Sequence, residues 1–313
     1  MKHRVIKVAR VPDALTQQLH ERFALEDVGP NPDAARLQSA APGTRALVAN
    51  GESVVSAELI GALPDLELIT VFGVGYDGVN VSAARARGIH VTHTPNVLTD
   101  DVADLAIGLL IATSRQLHRA DRYVRDGRWP SGAYPLTRKV SGSRLGIVGL
   151  GRIGIAVAHR AAAFGMEIAY HNRRRRADVP YHYAETLLQL AASVDVLIVC
   201  AQGGAQTRHL INAEVIDALG PAGILINVGR GSIVDEAAVA AALREGKLGG
   251  AGLDVFEREP HVLPALLECE NALLTPHVGS ATASTRKAMG DLVLANLEAH
   301  FAGKPLVSPI PAP

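Results

Sequence analysis

Cysteine is nearly absent from the 313 residues: Cys200 and Cys269 are the only two. Two thiols so far apart exclude a disulfide framework and a CxxC metal knuckle, and point to reducing surroundings. Aromatic residues make up only 4%, which leaves no stacking platform for nucleic-acid bases. Neither sign of charge dominates. Lys plus Arg total 31 and Asp plus Glu total 31, so the basic excess of a nucleic-acid or membrane-surface binder is missing. No apolar run reaches the ~18 residues of a membrane span. No signal-peptide apolar region follows Met1, and the terminal PIPAP is no peroxisomal address. Hydrophobic residues, by contrast, reach 48% against 20% charged, ample for buried cores. At ~150 residues per domain, two domains are expected. The expectation is a cytoplasmic globular protein with neither nucleic acid nor membrane as partner.

Short apolar runs alternate with helical patterns along the whole length, which reads as βαβ units and parallel sheets. A first series of strands is expected near Arg4–Val8, Ala46–Ala49, Leu68–Phe72 and Ile89–Thr92, with helices at Asp13–Arg22 and Ser56–Leu63. A second series begins at Arg144–Gly149 and continues with Glu167–His171, Val194–Cys200, Gly223–Val228, Gly250–Asp254 and Ala272–Thr275. Its helices are Ile153–Phe164, Glu185–Ala192, Ala213–Leu219 and Glu236–Glu245. Between the series lies one long helical candidate, Asp100–Asp126, capped by Thr99 or Asp100, then an irregular arm, Arg128–Pro135, holding the single tryptophan. An amphipathic helix over Thr285–Ala302 could serve either unit.

The strongest local motif is Gly149-Leu150-Gly151-Arg152-Ile153-Gly154, after the strand Leu145–Val148 and opening a helix. The first glycine permits a tight turn, the second lets backbone approach a pyrophosphate, and the third lets helix pack on strand. In that context GxGxxG reads as a dinucleotide-binding loop. An NAD site usually places Asp or Glu at the end of the second strand to hold the ribose 2′-OH. Here Asn172 stands there, followed by Arg173, Arg174, Arg175 and Arg176. Guanidinium groups can grip a 2′-phosphate that an acid would repel, so NADP(H) is expected.

Three later stretches each follow a strand, where ligands of open α/β sheets bind. They are Ile226–Gly231, Asp254–Pro260 and Thr275–Ser280, and together they supply a cation, a carboxylate and an imidazole. Reduction of a 2-keto acid needs such a set: a cation for the substrate, a proton donor, and an acid that keeps the donor protonated. His90 and His93 lie three apart, which a strand would place on opposite faces, and no other cluster has ligand spacing. No metal is expected.

With these residues in view, the sequence resembles the D-2-hydroxyacid dehydrogenases, in the branch of glyoxylate/hydroxypyruvate and hydroxyphenylpyruvate reductases. The likeness is strongest from Leu66 to Pro305 and rests on VGYDGVNV, TDDVADLAIGLL, GLGRIG, TRHLIN, INVGRG, GLDVFEREP and TPHVGS. It implies two Rossmann-like, doubly wound parallel-sheet domains with the active site in the cleft between them. Residues 1–98 plus 285–313 would bind substrate, and 99–284 would bind NADP. Arg230, Glu259 and His277 match the family's catalytic Arg, Glu and His. His277 would protonate the carbonyl oxygen as general acid, Glu259 would raise its pKa, and Arg230 would clamp the keto acid.

The resemblance further implies cofactor contacts from Val102, Gly149, Gly151, Arg152, Ile153, Gly154, Asn172, Arg173, Arg174, Cys200, Ala201 and Thr207. It adds Val228, Gly229, Arg230, Asp254, His277, Gly279 and Ser280, with Asp254 on the nicotinamide carboxamide. Substrate contacts would come from Asn50, Gly73, Val74, Gly75, Arg230, His277 and Trp129, with the 73–75 turn as the carboxylate-binding loop. Trp129 either covers a core edge or reaches a neighbouring subunit's pocket, since relatives dimerise through the helix and arm over 100–135. One departure is the stretch Ala201–Arg208, which lacks the prolines of many relatives, so a more flexible loop is expected there. Rival readings are an NAD-linked phosphoglycerate- or phosphite-type dehydrogenase on the same chassis, and a non-enzymatic dinucleotide-sensing protein.

Overall fold

The computed structural model describes residues 2–30, 32–40 and 42–311; the last two residues of the terminal PIPAP lie outside them. The chain divides into a unit of Met1–Leu98 with Ala281–Pro313 and a unit of Thr99–Ser280.

The first unit opens with β1 (Arg4–Lys7), α1 (Asp13–Arg22), β2 (Ala24–Asp27), α2 (Ala34–Ala40), β3 (Thr44–Asn50), α3 (Ala57–Gly61), β4 (Leu68–Phe72), α4 (Val81–Ala86) and β5 (His90–Thr92). All strands run parallel in the order β2-β1-β3-β4-β5. Covered on both faces, a central parallel strand can be apolar throughout, and β4 reads LITVF with every residue buried. The strand order reverses beside β1, so ligands are expected outside the carboxyl ends of the strands. The core gathers Ile6, Leu37, Leu47, Ile60, Leu63 and Ile69.

The second unit begins with helix. The continuous helix expected over Asp100–Asp126 is in fact two, α5 (Thr99–Ser114) and α6 (Leu117–Arg125). Gln116 between them is left-handed at φ 49°, and the Ser114 carbonyl accepts the Arg138 N–H at 3.2 Å instead of continuing a helical ladder. The cause is burial. α5 buries Ala103, Ala106, Leu109 and Leu110, whereas α6 buries nothing that would keep it in line.

Then follow β6 (Arg144–Val148), α7 (Arg152–Ala162), β7 (Glu167–His171), β8 (His182–Tyr183), α8 (Leu187–Ser193), β9 (Val196–Val199), α9 (Ala213–Leu219), β10 (Ile224–Asn227), α10 (Glu236–Arg244), β11 (Gly250–Leu253), α11 (Pro264–Leu267) and β12 (Ala272–Leu274). The parallel sheet has the order β12-β11-β10-β9-β6-β7-β8. This is the doubly wound dinucleotide-binding arrangement, extended by one strand, with its switch point between β6 and β9.

The chain returns to the first unit as α12 (Ala283–Phe301), capped by the Thr282 hydroxyl accepting the Thr285 N–H. The choice left open for this helix is thereby settled: it packs on β4 and α1. Among the described residues, no helix is long and apolar enough to cross a membrane.

Candidate active site

The switch point of the second unit is crowded by backbone. Gly149, at φ 94°, ends β6 so close to the loop after β9 that a Cβ on it would lie 2.6 Å from Ala201 Cα. A Cβ on Gly229, after β10, would lie 2.8 Å from the Ala201 carbonyl oxygen. Gly149, Cys200, Ala201, Val228 and Gly229 are thus brought into one patch. A Cβ on Gly151, by contrast, would meet no atom within 4 Å, and no side chain caps α7 there. A backbone cradle in front of an uncapped helix start fits a pyrophosphate. Arg152 and Ile153 form the first turn of that helix. Burial pushes the Cys200 thiol up to about 12, which keeps it protonated and inert.

Asn172 ends the neighbouring strand, and its side-chain oxygen accepts the Leu150 N–H at 2.7 Å, so it braces the glycine loop itself. Arg173 donates to Gln206 at 3.3 Å, and Arg174 and Arg175 are exposed. Arg176 is already engaged: it donates to the Leu150 carbonyl of the glycine loop and pairs with Asp178. Thr207 closes a short 3₁₀ turn over Ala205–Thr207 by donating to the Gln202 carbonyl at 2.9 Å. The stretch without prolines therefore has a defined turn.

β10, β11 and β12 are neighbours in the sheet, so the loops at their carboxyl ends lie side by side. These carry Arg230, Glu259 and His277. His277 Nδ1 lies 2.7 Å from Glu259 Oε2, while Glu259 Oε1 accepts the Phe256 N–H at 2.9 Å. Burial alone would lower the His277 pKa, but the hydrogen bond and charge of Glu259 outweigh it and raise the imidazole above its usual value. Burial likewise pushes Glu259 up, and His277 overrides it, holding the carboxyl below the usual range. Each group keeps the other ionised. His277 itself is left-handed at φ 52°, held there by N–H bonds to the Asp254 and Thr275 carbonyls. A non-glycine residue kept in that region by its surroundings is a mark of a functional site.

Asp254 accepts from Thr275 Oγ1 at 2.6 Å and from the N–H groups of Val278 and Gly279, and burial still raises its carboxyl. It shapes the His277 loop. Gly279 backs onto Val102 of α5, and Ser280 follows it.

Residues 107–279 match the family described as D-isomer specific 2-hydroxyacid dehydrogenase, NAD binding domain. The chain is 50% identical over 309 residues to hydroxyphenylpyruvate reductase of Plectranthus scutellarioides, covering 98% of both chains. It is 48% identical to glyoxylate/hydroxypyruvate reductase A of Arabidopsis thaliana, again over 98% of both. Among solved structures, the NADPH-dependent glyoxylate/hydroxypyruvate reductase of Sinorhizobium meliloti, in complex with NADP and malonate, superposes with a TM-score of 0.93. That match has 46% identity and covers 99% of this chain and 97% of the other. The chain belongs to the D-isomer specific 2-hydroxyacid dehydrogenase family.

Two groups that shape the site of this dehydrogenase are silent in its sequence. Glu236 begins α10 yet is buried, and its Oε1 accepts the Glu257 N–H at 2.6 Å, holding the loop that carries Glu259. Burial raises its carboxyl. Glu257 in turn accepts from Arg208 at 2.8 Å and lies 2.7 Å from His209 Nε2, which ties that loop to the one after β9. An acid at a helix start, as Glu236 is, reads as surface, and Glu257 sits within GLDVFEREP with nothing to mark its partners until the fold supplies them.

In the first unit, Gly73, Val74 and Gly75 form the turn after β4. Asn50 is spent locally: its Nδ2 donates to the Arg10 carbonyl and its Oδ1 accepts from Glu52 N–H and Ser53 Oγ. His90 is exposed near the His300 ring, while His93 is buried against Val74. Trp129, back in the second unit, begins a 3₁₀ turn and is 66% exposed.

Proposed function

We propose that this dehydrogenase reduces a small 2-keto acid, such as glyoxylate, hydroxypyruvate or a related acid, to the D-2-hydroxy acid with NADPH. The observation that carries this reading is the Glu259···His277 pair at 2.7 Å, with the imidazole pKa raised, on a loop adjoining that of Arg230. Bound NADPH supplies hydride to the carbonyl carbon. His277 keeps Nδ1–H on Glu259 and delivers its Nε2 proton to the carbonyl oxygen. Arg230 holds the keto acid and polarises its carbonyl. The N–H groups of Val74 and Gly75 in the 73–75 turn take the substrate carboxylate, and Asn50 and Trp129 complete the surroundings. Thr99–Ser280 serves as the cofactor domain, and the other unit as the substrate domain.

The glycine loop from Gly149 to Gly154 takes the pyrophosphate, while Arg173 and Arg174 take the 2′-phosphate beside uncharged Asn172. Val102, Ala201, Thr207, Val228, Gly229, Asp254, Gly279 and Ser280 line the rest of the cofactor groove. Two further parts of the reading concern the whole protein. It acts in the cytoplasm, in keeping with two unpaired thiols, and it pairs with a second copy through α6 and the arm. Leu117, Val124, Trp129 and Leu136 are 49%, 55%, 66% and 101% exposed there, an unusual grouping for a surface facing water.

The test is initial-rate oxidation of NADPH and of NADH with glyoxylate, hydroxypyruvate, phenylpyruvate and 3-phosphohydroxypyruvate. Fast NADPH turnover with one of the first three is expected. A preference for NADH would overturn the roles of Arg173 and Arg174, and silence with every acid despite tight nucleotide binding would overturn the reductase.

A further inference from the structure

The carbonyls of the 73–75 turn are anchored in one direction. The Gly73 carbonyl accepts the Thr94 N–H at 2.8 Å. The Val74 carbonyl lies 2.8 Å from Nδ1 of His93. Because a carbonyl only accepts, Nδ1 of His93 must carry the proton, which fixes its tautomer. Both peptide bonds are trans, and in a planar trans peptide the carbonyl of one residue and the N–H of the next point opposite ways. With both carbonyls drawn to residues 93 and 94, the N–H groups of Val74 and Gly75 leave the other side of the turn. Neither N–H has a protein partner among the described residues. Two adjacent N–H groups aimed outward form a concavity that suits an anion.

The anchor is itself held rigidly. His93 is 6% exposed, and its ring meets Tyr76 edge-on at 5.4 Å. Its N–H donates to the Ser308 carbonyl, and its carbonyl accepts the Ser308 hydroxyl at 2.6 Å. Fully buried Asn296 of α12 then clamps Ser308, donating to its Oγ at 2.8 Å and accepting its N–H at 3.0 Å. A chain of buried polar contacts therefore runs from α12 through the tail to the turn.

We propose that His93 is the positioning residue of the carboxylate-binding turn, its Nδ1–H on the Val74 carbonyl orienting the Gly75 N–H toward the carboxylate of the 2-keto acid, beside the Val74 N–H that the Thr94 bond aims. This rests on the assignment of the turn as the carboxylate site. The role is one of aim: the imidazole touches no substrate, and without it the peptide joining Val74 to Gly75 can rotate and lose the Gly75 donor, while the Thr94 bond still holds the Val74 N–H.

The test compares His93→Leu, which keeps bulk and deletes the donor, with His93→Asn, whose amide nitrogen can stand where Nδ1 stood. His93→Leu is expected to raise the keto-acid KM ~10-fold or more, the scale of a lost charge-assisted hydrogen bond, with the NADPH KM unchanged. His93→Asn is expected to restore the keto-acid KM to within about threefold of wild type. Should the leucine variant not fold, His93→Ser, too short to reach Val74, repeats the comparison. A wild-type keto-acid KM in the folded donorless variant overturns the inference. So does a parallel loss of NADPH affinity, which marks general damage. Val74→Pro removes one of the two N–H groups itself. An unchanged keto-acid KM there defeats the assignment of the turn, whereas a raised KM there beside a normal one in His93→Leu defeats only the role of His93.

Discussion

At Nδ1 of His277 the proton has Glu259 as its acceptor, and in the proposed reduction that leaves Nε2 to give up the proton the carbonyl requires. The proposed role needs the protonated imidazole, and its pKa is raised above 6.5. In the direction of reduction, kcat/KM is therefore expected to stay level at low pH and to fall as pH rises through a value above 6.5. Glu259→Gln removes the charge that raises it, so the descending limb should move to lower pH; an unmoved limb would refute the coupling. His277→Ala should lower kcat by ~10²–10⁴ while NADPH binding, followed by fluorescence titration, persists. The pair also contributes to stability. The His277 share is present below its unfolded pKa and lost as pH rises through the raised folded value. The Glu259 share is present above its unfolded pKa and lost as pH falls through the depressed one. Both side chains, like Arg230, could be picked out in the sequence because each sits in a motif. His93 and Glu236 could not, since a buried histidine and a buried helix-start acid look like any surface residue until the fold brings Val74 and Glu257 to them.

Between elements, the loops of the site are fitted to one another by backbone contact. A Cβ on Gly231 would stand 1.9 Å from the Phe256 carbonyl carbon, so the loops bearing Arg230 and Glu259 can abut only with glycine there. Gly231→Ala should therefore force them apart. We expect a loss of stability of ~2 kcal/mol or more, read from denaturant midpoints, and a fall in kcat larger than any change in NADPH affinity. Asn296 plays a comparable part on α12, with Nδ2 donating to Leu292 and Ser308 and Oδ1 accepting from Val307 and Ser308. Asn296→Ala should cost ~2–3 kcal/mol of unfolding free energy, and wild-type stability would show those bonds to be replaceable. Strands with continuous apolar runs, such as β4 and β9, were plain in the sequence. The edge strands β2 and β8 were not, because β2 has no buried residue and β8 is two residues long. The break at Gln116 was equally hidden: helical periodicity continues across it, and only the end of burial beyond α5 marks the change.

For the molecule as a whole, alternation of strand and helix was enough to foretell two parallel sheets, and in each the switch-point rule points to the carboxyl ends of the strands. A sequence does not state which surface is left for a second copy. The proposed pairing through α6 and the arm predicts that Leu136→Glu combined with Trp129→Glu shifts sedimentation from dimer to monomer, whereas an unchanged coefficient would remove that face from consideration. The layout of the first unit has a temporal consequence. Its sheet is made by residue 92, yet β4 gains its cover from α12, and Thr92 gains its bridge from Pro309. A ribosome adding ~5–20 residues per second therefore leaves that sheet half-dressed for roughly 10 to 40 s while the intervening stretch is made. The contiguous Thr99–Ser280 can close its own sheet in that interval. Chains truncated after residue 282 and released should yield a protease-resistant fragment from the middle of the protein while its beginning is still digested, so the part synthesised first is the last to become native.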